Sequence, residues 1–286
     1  CAEGIQKAMM ERAMHPCFGY NSDEQAYTDA FCGFMHRRHQ LEIHQEEMLR
    51  LPCVVTGLKT CVQAFSAEGD QVAIFSPCYG PFAMSVESNG RKLVSVPLLL
   101  DDEGTYHMNL AGMEEALKGG AKLILLCNPH NPASRCWEKE ELEALAKLAK
   151  AYGVPLVSDE IHADFVYKPH NPASRCWEKE ELEALAKLAK DYAVTLVSDE
   201  IHADFVYKPH KFVSMLHVEK ENVVALFAAS KTFNIAGLQQ AQLVSGDKKL
   251  LEKAENVLNR NGIACGNTMA LVGTMAAYNE GEEWLD

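Results

Sequence analysis

Lys231 is the residue of this sequence best placed for covalent chemistry. It closely follows the apolar run 223–227, which predicts a β-strand. In open α/β sheets, ligands bind in the crevice at the carboxyl ends of the strands. A lysine amine in such a crevice is partly desolvated and can form a Schiff base with a carbonyl group. Taken alone, a lysine in a Ser-Lys pair is more often a solvated loop residue.

Three polar residues follow other predicted strands. Asp199 directly follows the run 195–198, and His202 comes three residues later. Asn131 follows the run 123–127. A carboxylate in the crevice could keep the pyridine nitrogen of pyridoxal phosphate protonated, and an amide could bond its phenolic oxygen. The alternative for Asp199 is a helix N-cap, and for Asn131 a turn residue.

Two further segments could complete a cofactor site. The run 54–60 predicts a strand that passes into a helix at Gly57, and the amides at that helix start could hold a phosphate. Tyr79 follows the predicted strand 72–75 and could stack on an aromatic ring. Singly, the Gly57 junction is weak evidence, and Tyr79 could equally be a core aromatic.

The elements that must position these residues alternate along the chain. Helical patterns, such as 113–117 and 139–151, separate short apolar runs that predict strands. This alternation indicates an α/β fold with a mostly parallel sheet between two helical layers, a three-layer α-β-α arrangement. The predicted strands are 72–75, 93–97, 123–127, 155–158, 195–198, 223–227 and 243–245.

An internal repeat interrupts this pattern. Residues 129–168 recur as 169–208 with a period of 40 and differ at only three positions. Solenoids usually contain at least three repeats that have diverged further. We therefore interpret the two copies as a tandem duplication or a sequence-assembly error. The repeat also makes Asp159, His162 and Asn171 alternatives to Asp199, His202 and Asn131.

Bulk properties exclude several classes of protein. The formal net charge of −13 argues against a nucleic-acid partner. The sequence has neither an apolar run long enough for a membrane span nor a signal-peptide pattern. Ten cysteines without a C-x-x-C pair favour a reducing, cytoplasmic location. His36, His39 and His44 lack further residues with ligand spacing, so we predict no metal site.

Five motifs occur in a characteristic order: Thr-Gly, Pro-x-Tyr, Asn-Pro-His-Asn-Pro, Ser-Asp-Glu-Ile-His and Ser-Lys-Thr-Phe-Asn. Together they resemble the pyridoxal-phosphate-dependent aminotransferases of class I and II, which have fold type I. His202 and the run 230–238 resemble the cystathionine β-lyase, or C–S lyase, branch of that family. The similarity extends from about residue 17 to residue 284.

The resemblance implies a role for each matching residue. Lys231 would form the Schiff base and then remove the Cα proton of the substrate. Asp199 would pair with the pyridinium, and Asn131 would bond the ring oxygen, with His202 nearby. Tyr79 would stack on the ring.

The resemblance also implies how the phosphate is held. The amides of Leu58 and Lys59, after Gly57, would bind it together with Ser230. Tyr20 matches a tyrosine that reaches the phosphate from the partner subunit, which implies a homodimer. The family usually has glycine at the position of Ser134, and relatives often have a phosphate-binding hydroxyl at that of Ala228.

Between the two copies, Asn131 is favoured because a well-defined strand precedes it, and Asp199 because its distance to Lys231 matches the family. This mixed assignment predicts that about one repeat length is looped out between strands. We expect residues 1–265 to form a cofactor-binding large domain and 266–286 to begin a C-terminal small domain. Both ends look cut, so we expect a fragment.

The implied activity is a C–S β-lyase reaction that releases a thiol, pyruvate and ammonia from a cysteine S-conjugate. An aminotransferase on the same scaffold is the first alternative, because it needs the same cofactor residues. A catalytically inactive fragment is the second.

Overall fold

The computed structural model describes residues 1–19, 24–128, 130–159, 179–192, 194–206, 211–263 and 266–286. The strands are β1 (Met48–Leu51), β2 (Gln71–Ser76), β3 (Lys92–Pro97), β4 (Leu99–Leu100), β5 (Tyr106–His107), β6 (Ala121–Cys127), β7 (Leu156–Asp159), β8 (Leu196–Asp199), β9 (Val223–Phe227) and β10 (Ala241–Val244). All seven predicted strands are present, within two residues at either end.

Helices separate most of these strands, as the alternation predicted. They are α1 (Glu3–Met14), α2 (Glu24–His39), α3 (Val54–Phe65), α4 (Gly80–Glu87), α5 (Leu110–Lys118), α6 (Lys139–Tyr152), α7 (Lys179–Tyr192), α8 (Met215–Val218), α9 (Ala229–Thr232), α10 (Lys248–Arg260), α11 (Thr268–Glu280) and α12 (Glu282–Leu285).

Eight of the strands form two four-stranded sheets whose edge strands β7 and β8 lie side by side, and β4 pairs with β5 in a separate two-stranded sheet. One has the order β3-β2-β6-β7 with parallel pairs throughout, and the other has the order β1-β10-β9-β8. In the second sheet β8 and β9 are parallel, whereas β10 is antiparallel to both β9 and β1. The parallel pairs align the carboxyl ends of β3, β2, β6 and β7 in the first sheet and those of β8 and β9 in the second.

Helices cover both faces of the sheet. Side chains of successive strand residues point to opposite faces, and those of β6 alternate between two apolar clusters: Ile124 and Leu126 belong to one, Leu123 and Leu125 to the other. Helices α1, α2, α5 to α8 and α11 contribute to the first cluster, and α3, α4 and α10 to the second. The predicted three-layer α-β-α fold is therefore confirmed.

Both copies of the repeat enter this fold. The first contributes α6 and β7, and the second contributes α7 and β8. β7 pairs with β6 and lies beside β8, which pairs with β9. The prediction that one repeat length is looped out is therefore wrong. Each copy carries an amphipathic helix and an apolar strand, and burying both units removes more apolar surface from water than exposing one.

The last described residues belong to the same core. Helix α11 packs against α1 and α2, and Ala277 and Tyr278 are buried in the first cluster. The boundary between a large domain ending at 265 and a small domain beginning at 266 stays a prediction. Within the described ranges, no helix combines the length and hydropathy needed to cross a bilayer.

Candidate active site

A cavity of about 360 Å³ lies at the edge where the parallel strands end. Seven of the residues predicted from the sequence line it: Leu58, Tyr79, Asn131, Asp199, His202, Ser230 and Lys231. They come from five segments spread over more than 170 residues, so the fold alone brings them together.

Lys231 lies on α9, a single helical turn that begins two residues after β9 ends. Its side chain is exposed and borders the cavity, next to Ser230. The following residue, Thr232, is buried, and its Oγ1 donates to Asp204 Oδ2 at 2.6 Å. The sequence motif thus places an accessible amine beside a side chain that is anchored in the core.

Asp199 is the last residue of β8 and is only 2% exposed. The amide of Ile201 donates to its Oδ1 at 3.2 Å. His202 lies in the same wall, with its ring 5.8 Å from that of Phe205. A buried carboxylate gains from a cationic group close by, so Asp199 favours a ligand with a protonated nitrogen.

Glu200, next to Asp199, points into the core and away from the cavity lining. Met215 donates its amide to Glu200 Oε1 at 2.9 Å. Burial raises the pKa of this carboxyl to about 7, although hydrogen bonds partly oppose the shift. The two neighbouring carboxyls at the end of β8 therefore lie in different places, Asp199 at the cavity and Glu200 in the core.

The turn that carries Asn131 is closed by Arg135. His130 donates its amide to the Arg135 carbonyl at 2.7 Å, and the Arg135 guanidinium donates to the Tyr106 carbonyl at 3.0 Å. Burial lowers the pKa of His130 to about 4, so its ring is neutral at pH 7. Ser134 has φ of 53°, in the left-handed region that favours glycine. Glycine, which the family usually has at this position, would adopt this conformation without the steric cost that serine has.

The helix predicted to begin at Gly57 begins three residues earlier. Helix α3 starts at Val54, so Gly57 is its fourth residue, and the amides of Leu58 and Lys59 lie inside the helix. The helix start is displaced because Val54 opens an apolar helical face that continues through Leu58, and this burial outweighs the strand preference of valine. The prediction that the Leu58 and Lys59 amides are open to a ligand is wrong.

Gly57 instead allows α3 to approach β9 closely. A Cβ at this position would lie 2.7 Å from Leu226 Cδ2 and 3.1 Å from Leu51 Cδ1. The amides without an intrahelical acceptor include those of Val54 and Val55, and both residues line the cavity. Lys59 is partly buried and is absent from the lining.

Nine lining residues were not predicted from the sequence, among them Val54, Val55, Gln239 and Gln240. Gln239 has φ of 57° and follows the short 3-10 turn Ala236–Leu238, whereas Gln240 is buried. The two glutamines could have been found from the sequence, because they form a polar pair between Leu238 and the strand β10. The two valines could have been found because Pro52 precedes an amphipathic run that begins with them.

Some predicted residues lie outside the described ranges. These are Tyr20, His162 and Asn171, and the side chain of Asp159 is likewise not described. Among the residues that the structure does describe, no three histidine, cysteine or acidic side chains are grouped to hold a metal ion. His36 instead contacts Glu42 at 2.6 Å, and His39 contacts Asp204 at 2.7 Å.

Strand β7 lies between two strands that lead to the site. It stands between β6, which leads to Asn131, and β8, which ends at Asp199. Asn131 and Asp199 therefore follow strands that are not neighbours, because β7 lies between β6 and β8. Asp199 and Lys231, in contrast, follow adjacent strands, β8 and β9.

The chain is similar to several known proteins. Cystathionine beta-lyase PatB of Bacillus subtilis (strain 168) is 36% identical over 285 residues, covering 99% of this chain and 64% of that protein. The PLP-bound putative aminotransferase from Clostridium difficile 630 superposes with a TM-score of 0.68 at 29% identity, covering 99% of this chain and 64% of its own. The PLP-bound C-S lyase from Staphylococcus hominis gives 0.64 at 28%, covering 99% and 63%. The chain thus spans about two thirds of the length of these relatives.

The model of the family described as aminotransferase class I and II matches this chain twice, over residues 2–169 and 168–283. The second match begins where the second copy of the repeat begins, so the repeat divides the family pattern. Together the two matches cover nearly all of the sequence. The chain belongs to the aminotransferase class I and II family.

Proposed function

We propose that this chain holds pyridoxal phosphate covalently on Lys231, and that the whole protein is a C–S β-lyase. The observation that carries the proposal is one cavity lined by Lys231, Asp199, Asn131, Ser230 and Tyr79. The relatives named cystathionine beta-lyase or C-S lyase support the reaction class.

The residues present fit the cofactor. The cavity volume of about 360 Å³ lies within the range of small-molecule sites, roughly 300–1,000 Å³. Asp199 supplies a buried carboxylate for a pyridinium nitrogen, and Tyr79, 39% exposed, supplies a ring for stacking. The amides of Val54 and Val55 and the hydroxyl of Ser230 are the donors for a phosphate. When bound, the cofactor withdraws electrons from the substrate Cα.

The chain's own residues would then control protons and orientation. Lys231 Nζ would take the proton from the substrate Cα, because its exposed side chain enters the cavity beside Asp199. Asp199, nearly excluded from solvent, would keep the pyridine nitrogen protonated. His202, which lines the same cavity, would lie near the ring oxygen that Asn131 bonds.

The proposed reaction converts a cysteine S-conjugate and water into a thiol, pyruvate and ammonia. The Cβ–S bond breaks, the sulfur leaves with the bonding electrons and gains a proton, and water replaces the amino group. No external oxidant or keto acid is needed. The proposed homodimer would add Tyr20 of the partner subunit to the phosphate site.

Cofactor attachment is tested by absorbance. Wild-type protein incubated with pyridoxal phosphate is expected to gain a near-visible band that borohydride removes, and peptide mapping is expected to find the reduced adduct on Lys231. Lys231→Ala should show neither. Lys59→Ala is the matched control, because Lys59 lies on α3 outside the cavity lining. A wild-type protein without the band would contradict the proposal.

The reaction class is tested separately in the full-length protein. Pyruvate release from cystathionine in the absence of any keto acid is expected for a lyase. Turnover only with a keto-acid acceptor would instead identify an aminotransferase, the same scaffold's alternative activity. Covalent attachment without either turnover would leave a cofactor-binding protein and refute the lyase proposal.

A further inference from the structure

Asp204 is a buried carboxylate that joins three parts of the molecule. It lies in the short 3-10 turn Ala203–Phe205 after β8, and its side chain is 10% exposed. His39 Nε2 donates to Asp204 Oδ1 at 2.7 Å, and Arg38 Nε lies 3.2 Å from the same oxygen. Thr232 Oγ1 donates to Oδ2 at 2.6 Å. Donors from α2 and from α9 therefore share one carboxylate.

The contact with Thr232 bears on Lys231, its neighbour in α9. This helix has four residues, and a single turn is too short to be stable through its own hydrogen bonds. Its orientation must therefore come from contacts with the rest of the protein. Successive side chains on a helix point about 100° apart, so fixing the buried Thr232 fixes the direction in which Lys231 leaves the helix.

Asp204 is also held at a set position relative to Asp199. The amide of Ala203 donates to the Glu200 carbonyl at 3.2 Å, and that of Phe205 donates to the His202 carbonyl at 2.9 Å. The turn that follows Asp199 is therefore tied to the end of β8. Through Thr232, the same turn is tied to the helix that carries Lys231.

We infer that Asp204 is a positioning residue, which sets where the Lys231 amine stands relative to a cofactor paired with Asp199. It acts through Thr232 and is anchored on α2 by Arg38 and His39. The inference rests on the proposed attachment of pyridoxal phosphate to Lys231. Asp204 is absent from the cavity lining, so it acts on the lysine and not on the ligand.

The test is a double-mutant cycle between Thr232→Val and Lys231→Ala. Valine keeps the shape of threonine and removes the hydroxyl, and a hydrogen bond to a charged group is strong enough to shift an equilibrium by about tenfold. Thr232→Val should lower the equilibrium constant for covalent attachment of pyridoxal phosphate by about tenfold in absorbance titrations. In the Lys231→Ala background, the same change should leave noncovalent affinity, measured by equilibrium dialysis, unchanged.

Equal losses in both backgrounds would show a general effect on the cavity and overturn the inference, as would no loss in either. Asp204→Asn should weaken attachment at least as much as Thr232→Val, and Thr232→Ser, which keeps the hydroxyl, should restore it. Thr60→Val is the matched control, because this buried hydroxyl donates to the Thr56 carbonyl within α3. Absence of attachment in the wild type would instead refute the proposed function on which the inference rests.

Discussion

The two copies of the repeat show how one sequence is used in two ways. Copy 129–168 and copy 169–208 each supply a helix of 14 residues and the strand sequence Leu-Val-Ser-Asp. In the first copy the strand β7 pairs with β6, and in the second the strand β8 pairs with β9. The described helix and strand are thus of equal length in the two copies, whereas the neighbours of the strands differ. Of the two strand ends, that of β8, at Asp199, lies next to the segment that carries Lys231, because β8 pairs with β9.

The largest expected effect distinguishes Asp199, at the end of β8, from Asp159, at the end of β7. Asp199→Asn removes a buried charge that would pair with the pyridinium, and such losses typically cost about 2–5 kcal/mol, so we expect affinity for pyridoxal phosphate to fall by at least about 30-fold. The same change at its counterpart, Asp159, should have a much smaller effect. Equilibrium dialysis of both variants measures the difference. Equal losses would mean that both copies serve the cofactor.

Glu200, which follows Asp199, and His130, which precedes Asn131, should change the stability of the protein with pH in opposite directions. The Glu200 pKa is about 7 in the fold against an ordinary 4.5, so the folded chain retains a proton that the unfolded chain loses. Its contribution to stability is present below pH 4.5 and is lost as pH rises to 7. Glu200→Gln should therefore be more stable than wild type by about 3 kcal/mol at pH 8, and similar at pH 4.

His130, at the start of the first copy, provides the contrast. Its pKa is about 4 in the fold against an ordinary 6.5, so the unfolded chain binds a proton that the folded chain excludes. Stability from this residue is lost as pH falls from 6.5 to 4, and His130→Gln should remove that loss. Denaturant unfolding across pH 4–8 measures both variants. If the stability of both variants relative to wild type changed with pH in the same direction, the opposite pKa shifts given for Glu200 and His130 would be contradicted.

Sequence reasoning succeeded where burial followed a local pattern. The run 223–227 was predicted to the residue, because every side chain in it is apolar and buried. Strands β4 and β5 escaped, since each has two residues and Leu99 and Leu100 are more than half exposed. Strand β1 was missed as well, while Val54 and Val55 were assigned to a strand although they begin a helix.

The candidate site likewise has a part that could be predicted from the sequence and a part that could not. Strand ends could be predicted to meet, because parallel strands bring their carboxyl ends to one edge. The fate of the repeat could not, since both copies have the same local preferences and only the total buried area decides between looping out and insertion. No sequence motif indicated a role for Asp204. Its partners Arg38, His39 and Thr232 are distant in sequence.

Deleting residues 129–168 should restore a single copy and remove the extra strand. The asparagine after β6 would then lie one strand spacing from Asp199, and one regained hydrogen bond corresponds to about tenfold tighter binding of pyridoxal phosphate. Deleting 169–208 should give the same gain, because the two products differ at only three positions. Unchanged affinity in both would show that the width of the sheet does not limit binding.

The smallest expected effect concerns the turn after Asn131. Ser134→Gly should raise the free energy of unfolding by about 0.5–1 kcal/mol, because glycine adopts φ of 53° without steric cost. Chemical denaturation measures the change. The same substitution at Ser174, its counterpart in the second copy, reports whether that copy gains equally. A destabilised Ser134→Gly protein would contradict the expectation.

The near identity of the copies also has a consequence for the route to the folded state. Either Leu-Val-Ser-Asp strand could reach β9, because Asp199 stands 24 residues before Val223 and Asp159 stands 64 before it (223 − 199 and 223 − 159). Loop-closure entropy grows only with the logarithm of length, so the longer connection costs about 0.9 kcal/mol more. That difference is too small to select one strand alone. It favours the nearer copy at β9 slightly, and this is the copy that pairs with β9, whereas the other pairs with β6.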